Sequence, residues 1–167
     1  MACLTFDAYG TPAPKGSYNA VTNRRTGRTL FVPASRGEHA WRRSVEEAAY
    51  GAWTNRTGLP MPRLEGPLSA SMRFLLPRPK SVRRDFPTVK PDLDKLVRST
   101  WDGLTSSGLI RDDARITDLR AEKRYADWWM PGALISIEWE DAMENLQTMC
   151  RSCNSRKGNR VDVVQGG

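Results

Sequence analysis

Four aspartates define the chemistry open to this chain. Asp92 and Asp94 stand in the run Lys90-Pro91-Asp92-Leu93-Asp94-Lys95-Leu96, and the pair Asp112-Asp113 follows after a helix's length of chain. The protein around them is cationic, with 26 Lys+Arg against 19 Asp+Glu and a net charge of +7. Grouped carboxylates offer hard oxygen ligands to a cation such as Mg²⁺. A positive surface around such an ion suits a phosphodiester: the ion polarises phosphate and lowers the pKa of an attacking water, while basic side chains hold the flanking backbone. On this reading Asp92, Asp94 and Asp113 bind Mg²⁺, or Mn²⁺ in its place, and Arg98 offsets charge that develops on phosphate oxygens. A plainer explanation stands beside it. Acids favour helix N-termini because they cap free N–H groups and complement the macrodipole. Asp94 and Arg98, at i and i+4, would then form a surface ion pair worth about 0.2–0.5 kcal/mol. That accounts for one acid at a helix start better than for two more at Asp112-Asp113. The metal reading requires the helix start and the segment before the following strand to converge.

The elements that must position these residues are legible from periodicity. Leu93, Leu96, Val97, Thr100, Trp101 and Leu104 make the strongest helical stripe, with Asp92 at its start and Gly108 where a C-terminal cap belongs. An earlier helix is expected from about residue 36 to 54, with Trp41, Val45, Ala48, Ala49, Ala52 and Trp53 on its apolar side. His39, the single histidine, lies near its start and reads as a surface residue. Strands are expected at residues 4–9, 68–76, 116–125 and 134–139, where apolar and polar residues alternate. Two short strands around residues 20–22 and 29–32 would flank the turn Asn23-Arg24-Arg25-Thr26-Gly27-Arg28, a hairpin whose tip is either a solvated turn or a phosphate clamp. The proline-rich stretch 77–87 reads as a mobile loop that carries Arg83, Arg84 and the aromatic Phe86 up to the acidic cluster.

Bulk properties narrow the class. A chain of 167 residues with 39% hydrophobic content fits one domain of ordinary size with a small appendage. The charge makes an acidic polymer the default partner. No apolar run approaches the ~20 residues of a membrane span. The first residues lack a signal peptide's charged and apolar regions, so a cytoplasmic location is expected. Three cysteines argue against a disulfide framework.

The acidic run, followed by Trp101-Asp102-Gly103-Leu104, Gly108-Leu109-Ile110 and Asp112-Asp113-Ala114-Arg115-Ile116, resembles the RusA family of Holliday junction resolvases. The segment Gly10-Thr11-Pro12-Ala13-Pro14-Lys15-Gly16 is similar to that family as well, and the resemblance covers roughly residues 3 to 140. It implies an α+β fold, a mixed sheet packed with two main helices, in an intertwined homodimer. The implied activity is Mg²⁺-dependent nicking of two strands at four-way DNA junctions, in recombination and repair within a prokaryotic or phage-infected cell. The family's catalytic aspartates fall on Asp92, Asp94 and Asp113. Its catalytic lysine, four positions after the second aspartate, falls on Arg98, a departure that keeps charge but cannot readily release a proton. Lys95 is a substitute. Phe86 sits where the family carries wedging aromatics. Contacts to DNA are expected from Lys15, Arg24, Arg25, Arg28, Arg83, Arg84, Lys90 and Lys95. A non-catalytic junction-binding protein is the alternative if Arg98 has ended catalysis.

Residues 141–167 form a separate basic tail, not expected to be an independent domain. Asn145-Leu146-Gln147 and Cys150-Arg151-Ser152-Cys153 resemble the second half of an HNH endonuclease module. The first Cys pair and the catalytic histidine of such a module are missing, which disfavours an HNH-type nuclease. Cys150 and Cys153 supply two of the four ligands zinc requires, so zinc is not expected. Three readings stay open for the tail: a remnant without metal, a DNA grip through Arg151, Arg156, Lys157 and Arg160, or one zinc shared between two protomers.

Overall fold

The structure is a computed structural model that describes residues 2–16, 18–33, 37–127 and 130–140. The tail with Cys150, Arg151, Cys153, Arg156 and Lys157 lies outside the described residues. In chain order the elements are β1 (Ala2–Tyr9), β2 (Tyr18–Thr22), β3 (Thr29–Pro33), α1 (Glu38–Thr57), β4 (Leu68–Leu76), α2 (Leu93–Ser107), β5 (Ile116–Tyr125) and β6 (Gly132–Trp139). A single 3₁₀ turn, Asp113–Arg115, precedes β5. The elements expected from periodicity are present, with ends shifted by a few residues.

Four strands form one mixed sheet in the order β1-β6-β4-β5, and β2 with β3 form a separate hairpin. The central strand β6 is antiparallel to both neighbours, while β4 and β5 are parallel. A parallel pair needs a long crossover, and α2 supplies it. Pairing places side chains in rows across the sheet. Leu4, Ile137, Ala70 and Leu119 share one row, Phe6, Ile135, Met72 and Ala121 the next, and Ala8, Ala133, Phe74 and Lys123 the third. Apart from Leu119, which is exposed, and Lys123, these residues are the sheet's contribution to a core that also takes Trp41, Val45 and Ala49 from α1 and Leu96, Val97 and Leu104 from α2. Each large apolar side chain that is fully buried, such as Phe74, Ile135 or Leu96, contributes about 1.5–3 kcal/mol. The opposite face is hydrophilic, with Thr5, Ser136, Ser71 and Arg120 in one row and Arg73 beside Glu122 in another.

The two helices are fixed to each other at two points. The Trp41 indole N–H donates to the Thr100 hydroxyl at 3.1 Å, and that hydroxyl donates to the Leu96 carbonyl. A step along, Gly103 lets the backbones touch: a Cβ there would lie 2.9 Å from the Arg42 carbonyl oxygen and 2.9 Å from the Val45 Cβ. Gly108 ends α2 at φ 85°, a left-handed cap that glycine adopts without steric cost. The orientation of α2, and with it the placement of Asp92 and Asp94, follows from these contacts.

Candidate active site

Asp92 occupies the cap position of α2 with extended backbone, yet its side chain makes no capping hydrogen bond. The capping part of the plainer explanation therefore does not hold for this residue. Its carboxylate faces Lys95 at 3.3 Å instead. Asp94 lies in the first turn and is exposed. Asp92, Lys90, Pro91 and Lys95 form one wall of a cleft of about 420 Å³, whose other wall is Thr11 to Pro14 and Gly37. Arg98 is exposed one turn beyond Asp94, and no ion pair joins the two among the described residues.

Lys15, expected to contact DNA, also holds the chain together locally. Its backbone N–H donates to the Lys95 carbonyl at 2.9 Å, and its ammonium pairs with Asp102 at 2.8 Å. It straps the segment 11–16 along α2 and so forms the cleft wall. The Gly16 N–H donates to the carboxylate of the buried Glu38 at 3.1 Å, which ties the same segment to the start of α1. His39 is exposed on α1.

Asp112 and Asp113 do not join Asp92 and Asp94 within one chain. α2 has 15 residues, a rod of about 22 Å at ~1.5 Å per residue, and the second acid pair follows its far end. Asp113 and Asp112 line a separate cleft of about 260 Å³ with Asp102, Thr105, Ser106 and Arg42. β5 then runs back along α2, so that its far end, at Lys123, reaches the carbonyls of Val89 and Pro91. Within the described residues of one chain the helix start and the segment before β5 line different clefts, and the expected convergence is not seen there. Among the described residues no group of three or more His, Cys, Asp or Glu side chains is gathered closely enough to hold a metal ion. Asp92 and Asp94 still fit a divalent ion in donor type, since Mg²⁺ is commonly held by one or two carboxylates together with water and substrate phosphate oxygens.

The two members of the second pair differ. Asp112 caps the 3₁₀ turn by accepting the Ala114 N–H at 2.8 Å. That hydrogen bond first, then contact with the Asp113 carboxyl, holds Asp112 below its ordinary 3.8. Glu122 on β5 is likewise held below its ordinary 4.5, by hydrogen bonds from Arg73 and then Arg124.

The basic residues divide into projecting and pinned groups. Arg24, Arg25 and Arg28 stand exposed at the tip of the β2–β3 hairpin, where the Asn23 side chain accepts the N–H groups of Arg25 and Thr26. Arg83 and Lys90 are exposed as well. The stretch 77–87, read from sequence as a mobile loop, makes a set of contacts with the end of β5. Arg78 pairs with Asp127 at 2.6 Å and its guanidinium lies 4.6 Å from the centre of the Tyr125 ring. Arg84 donates to the Tyr125 hydroxyl at 3.1 Å, and Arg124 stacks over Phe86 at 4.6 Å. Phe86 remains 54% exposed, so its second face is open to a partner. Sequence reasoning missed the clasp residues Lys123, Arg124, Tyr125 and Asp127. One signal was present: Lys123 interrupts the inward row Leu119, Ala121, Tyr125.

Comparison with known proteins agrees with this geometry. The uncharacterised protein YqaN of Bacillus subtilis (strain 168) is 25% identical over 139 residues, which covers 76% of this chain and 91% of YqaN. The model of the endodeoxyribonuclease RusA family matches residues 11–138, from the strap beside Asp92 through both acid pairs to the end of β6. The strap, the acid-bearing helix and the clasping strand all fall within that match, and the chain belongs to the RusA endodeoxyribonuclease family.

Proposed function

We propose that this nuclease resolves four-way DNA junctions as a homodimer, with Asp92 and Asp94 of one subunit holding Mg²⁺. The observation that carries the reading is the exposed Asp92–Asp94 pair, unspent on capping, at a helix start flanked by Lys90, Lys95 and Arg98. When bound, the ion supplies Lewis acidity toward a phosphate oxygen and toward the attacking water. The chain's own groups do the rest. Lys90 and Lys95 at the cleft mouth hold the phosphodiester flanking the scissile bond, and Arg98 offers a planar fork of N–H donors to its oxygens. The hairpin tip with Arg24, Arg25 and Arg28 and the exposed Arg83 extend the contact along the DNA arms.

Asp113 enters this scheme through the dimer. In its own chain it lines a different cleft from Asp92, so Asp113 of the partner subunit is the one we take to complete the acid cluster. A two-fold dimer then carries two such sites, which matches two symmetric strands at a junction. A non-catalytic junction-binding protein is the second reading, favoured by arginine at position 98.

One experiment separates them. The protein is incubated with a synthetic mobile four-way junction and Mg²⁺, beside an Asp92→Asn variant. Paired symmetric nicks that vanish in the variant support the resolvase. Junction binding without nicks in either protein supports the binding reading. Equal affinity for the junction and for linear duplex removes both.

A further inference from the structure

The end of β5 bears a lysine where the sheet calls for an apolar residue. Lys123 shares a row with Phe74, Ala133 and Ala8, all fully buried or nearly so, on the face that carries the core. A charged side chain in such a row is costly unless its donors are satisfied. Lys123 is itself half-buried and carries its ammonium out of the row to the preceding loop, where it donates to the carbonyl of Val89 at 2.8 Å and to the carbonyl of Pro91 at 2.9 Å. Those two carbonyls bracket Lys90 and end immediately before Asp92. An ammonium has three N–H donors, and two are committed to the backbone that leads into the acid pair.

We infer that Lys123 is the positioning residue of the Asp92–Asp94 pair, holding the backbone before α2 so that both carboxylates present to one ion. The inference rests on the nuclease reading above and adds to it a residue on a different element. The neighbouring contacts support the role. Arg124, Tyr125 and Asp127 fasten residues 78–86 of the same segment, and the Ala126 N–H donates to the Leu76 carbonyl at 2.8 Å. Lys123 is the member of this clasp nearest the acids. Lys95, which pairs with Asp92 directly, acts on the carboxylate; Lys123 acts on the chain beneath it.

The test uses the full chain with Lys123→Met and Lys123→Arg, beside wild type and Asp92→Asn. Three quantities are read: melting temperature, kcat and KM for junction nicking, and Mn²⁺ affinity by calorimetry without DNA. A positioning role predicts that Lys123→Met loses about 10- to 100-fold in kcat with KM within about threefold. It also predicts weaker Mn²⁺ binding, although a positive charge beside the acids has been removed. Lys123→Arg, which keeps charge and donors, recovers most of both losses. Tighter Mn²⁺ binding in Lys123→Met with raised KM would mean a merely electrostatic residue and overturns the inference, as does wild-type kcat. If Lys123→Met does not fold, Lys123→Gln, polar but too short to reach both carbonyls, carries the same expectation. If wild type makes no nicks, the nuclease reading fails and the Mn²⁺ titration alone judges Lys123. Absence of Mn²⁺ binding to wild type overturns both.

Discussion

On the proposed reading, the residue on which the chemistry turns is Arg98. A guanidinium stays protonated at any working pH, so it can stabilise a phosphorane-like transition state but cannot serve as an acid. Its exposure beside Asp94 leaves it placed for a purely electrostatic task. Arg98→Lys should therefore keep kcat within about threefold of wild type, while Arg98→Ala should lose about 10²-fold; single-turnover nicking measures both. A larger gain than threefold in Arg98→Lys would assign a proton-transfer role to that position. Glu122 offers a test of another kind. Its folded pKa is depressed by Arg73 and Arg124, so its contribution to stability is present above the ordinary 4.5 and is lost as pH falls through the lowered value. Urea midpoints taken from pH 7 down to 3 should fall at the acid end in wild type, and Glu122→Gln should flatten that limb.

At the scale of elements, α2 is both the bearer of the acids and the spacer between them. Its orientation depends on close contact with α1 at Gly103, where a Cβ would press on the Arg42 carbonyl and on Val45. Backbone on one side and a buried side chain on the other leave little room to yield. Gly103→Ala should cost about 1–3 kcal/mol of stability by urea denaturation, with nicking impaired beyond that loss because Asp92 and Asp94 ride on the displaced helix. The segment 77–91 is the second element of interest. Pinned by Arg78, Arg84 and Lys123 to the end of β5, it presents Phe86 in a fixed place. Loss of the clasp in Tyr125→Ala should weaken junction affinity about tenfold more than affinity for duplex, as read by gel shift.

At the scale of the whole molecule, the distance between the acid pairs turns catalysis into a question of assembly. If Asp113 of the partner subunit completes the site at Asp92, subunits carrying Asp92→Asn and Asp113→Asn should complement each other. In the mixed dimer one site joins both substituted residues and is dead, while the other joins both natural ones and works. Each variant alone should be inactive, and co-refolded mixtures should regain single, unpaired nicks on a junction. A site formed within one chain predicts no recovery from the mixture. The net charge of +7 per chain adds a second expectation. Junction affinity should fall steeply with salt, the slope shrinking by about one for each phosphate-contacting arginine removed from the hairpin tip.

Much was determined by the sequence itself. The alternation of Leu68, Ala70, Met72, Phe74 and Leu76 and the stripe from Leu93 to Leu104 specify a strand and a helix, because burial on one face imposes those periods. The spacing of Asp92, Asp94 and Asp113 carried the family, because side-chain type and separation along the chain are properties of sequence alone. Which residues lie together was decided by the tertiary structure. Asp92 and Asp113 read as neighbours on the page, yet in the folded chain they line two different clefts. Lys15 and Arg84 read as DNA contacts, yet Asp102 and Tyr125 engage them. Lys123, some thirty residues from Asp92 in sequence, comes to lie under it because a parallel strand must start where the crossover helix ends and finish where it began. Side-chain chemistry is local and survives in a list of residues; proximity across a crossover depends on how the sheet is wound.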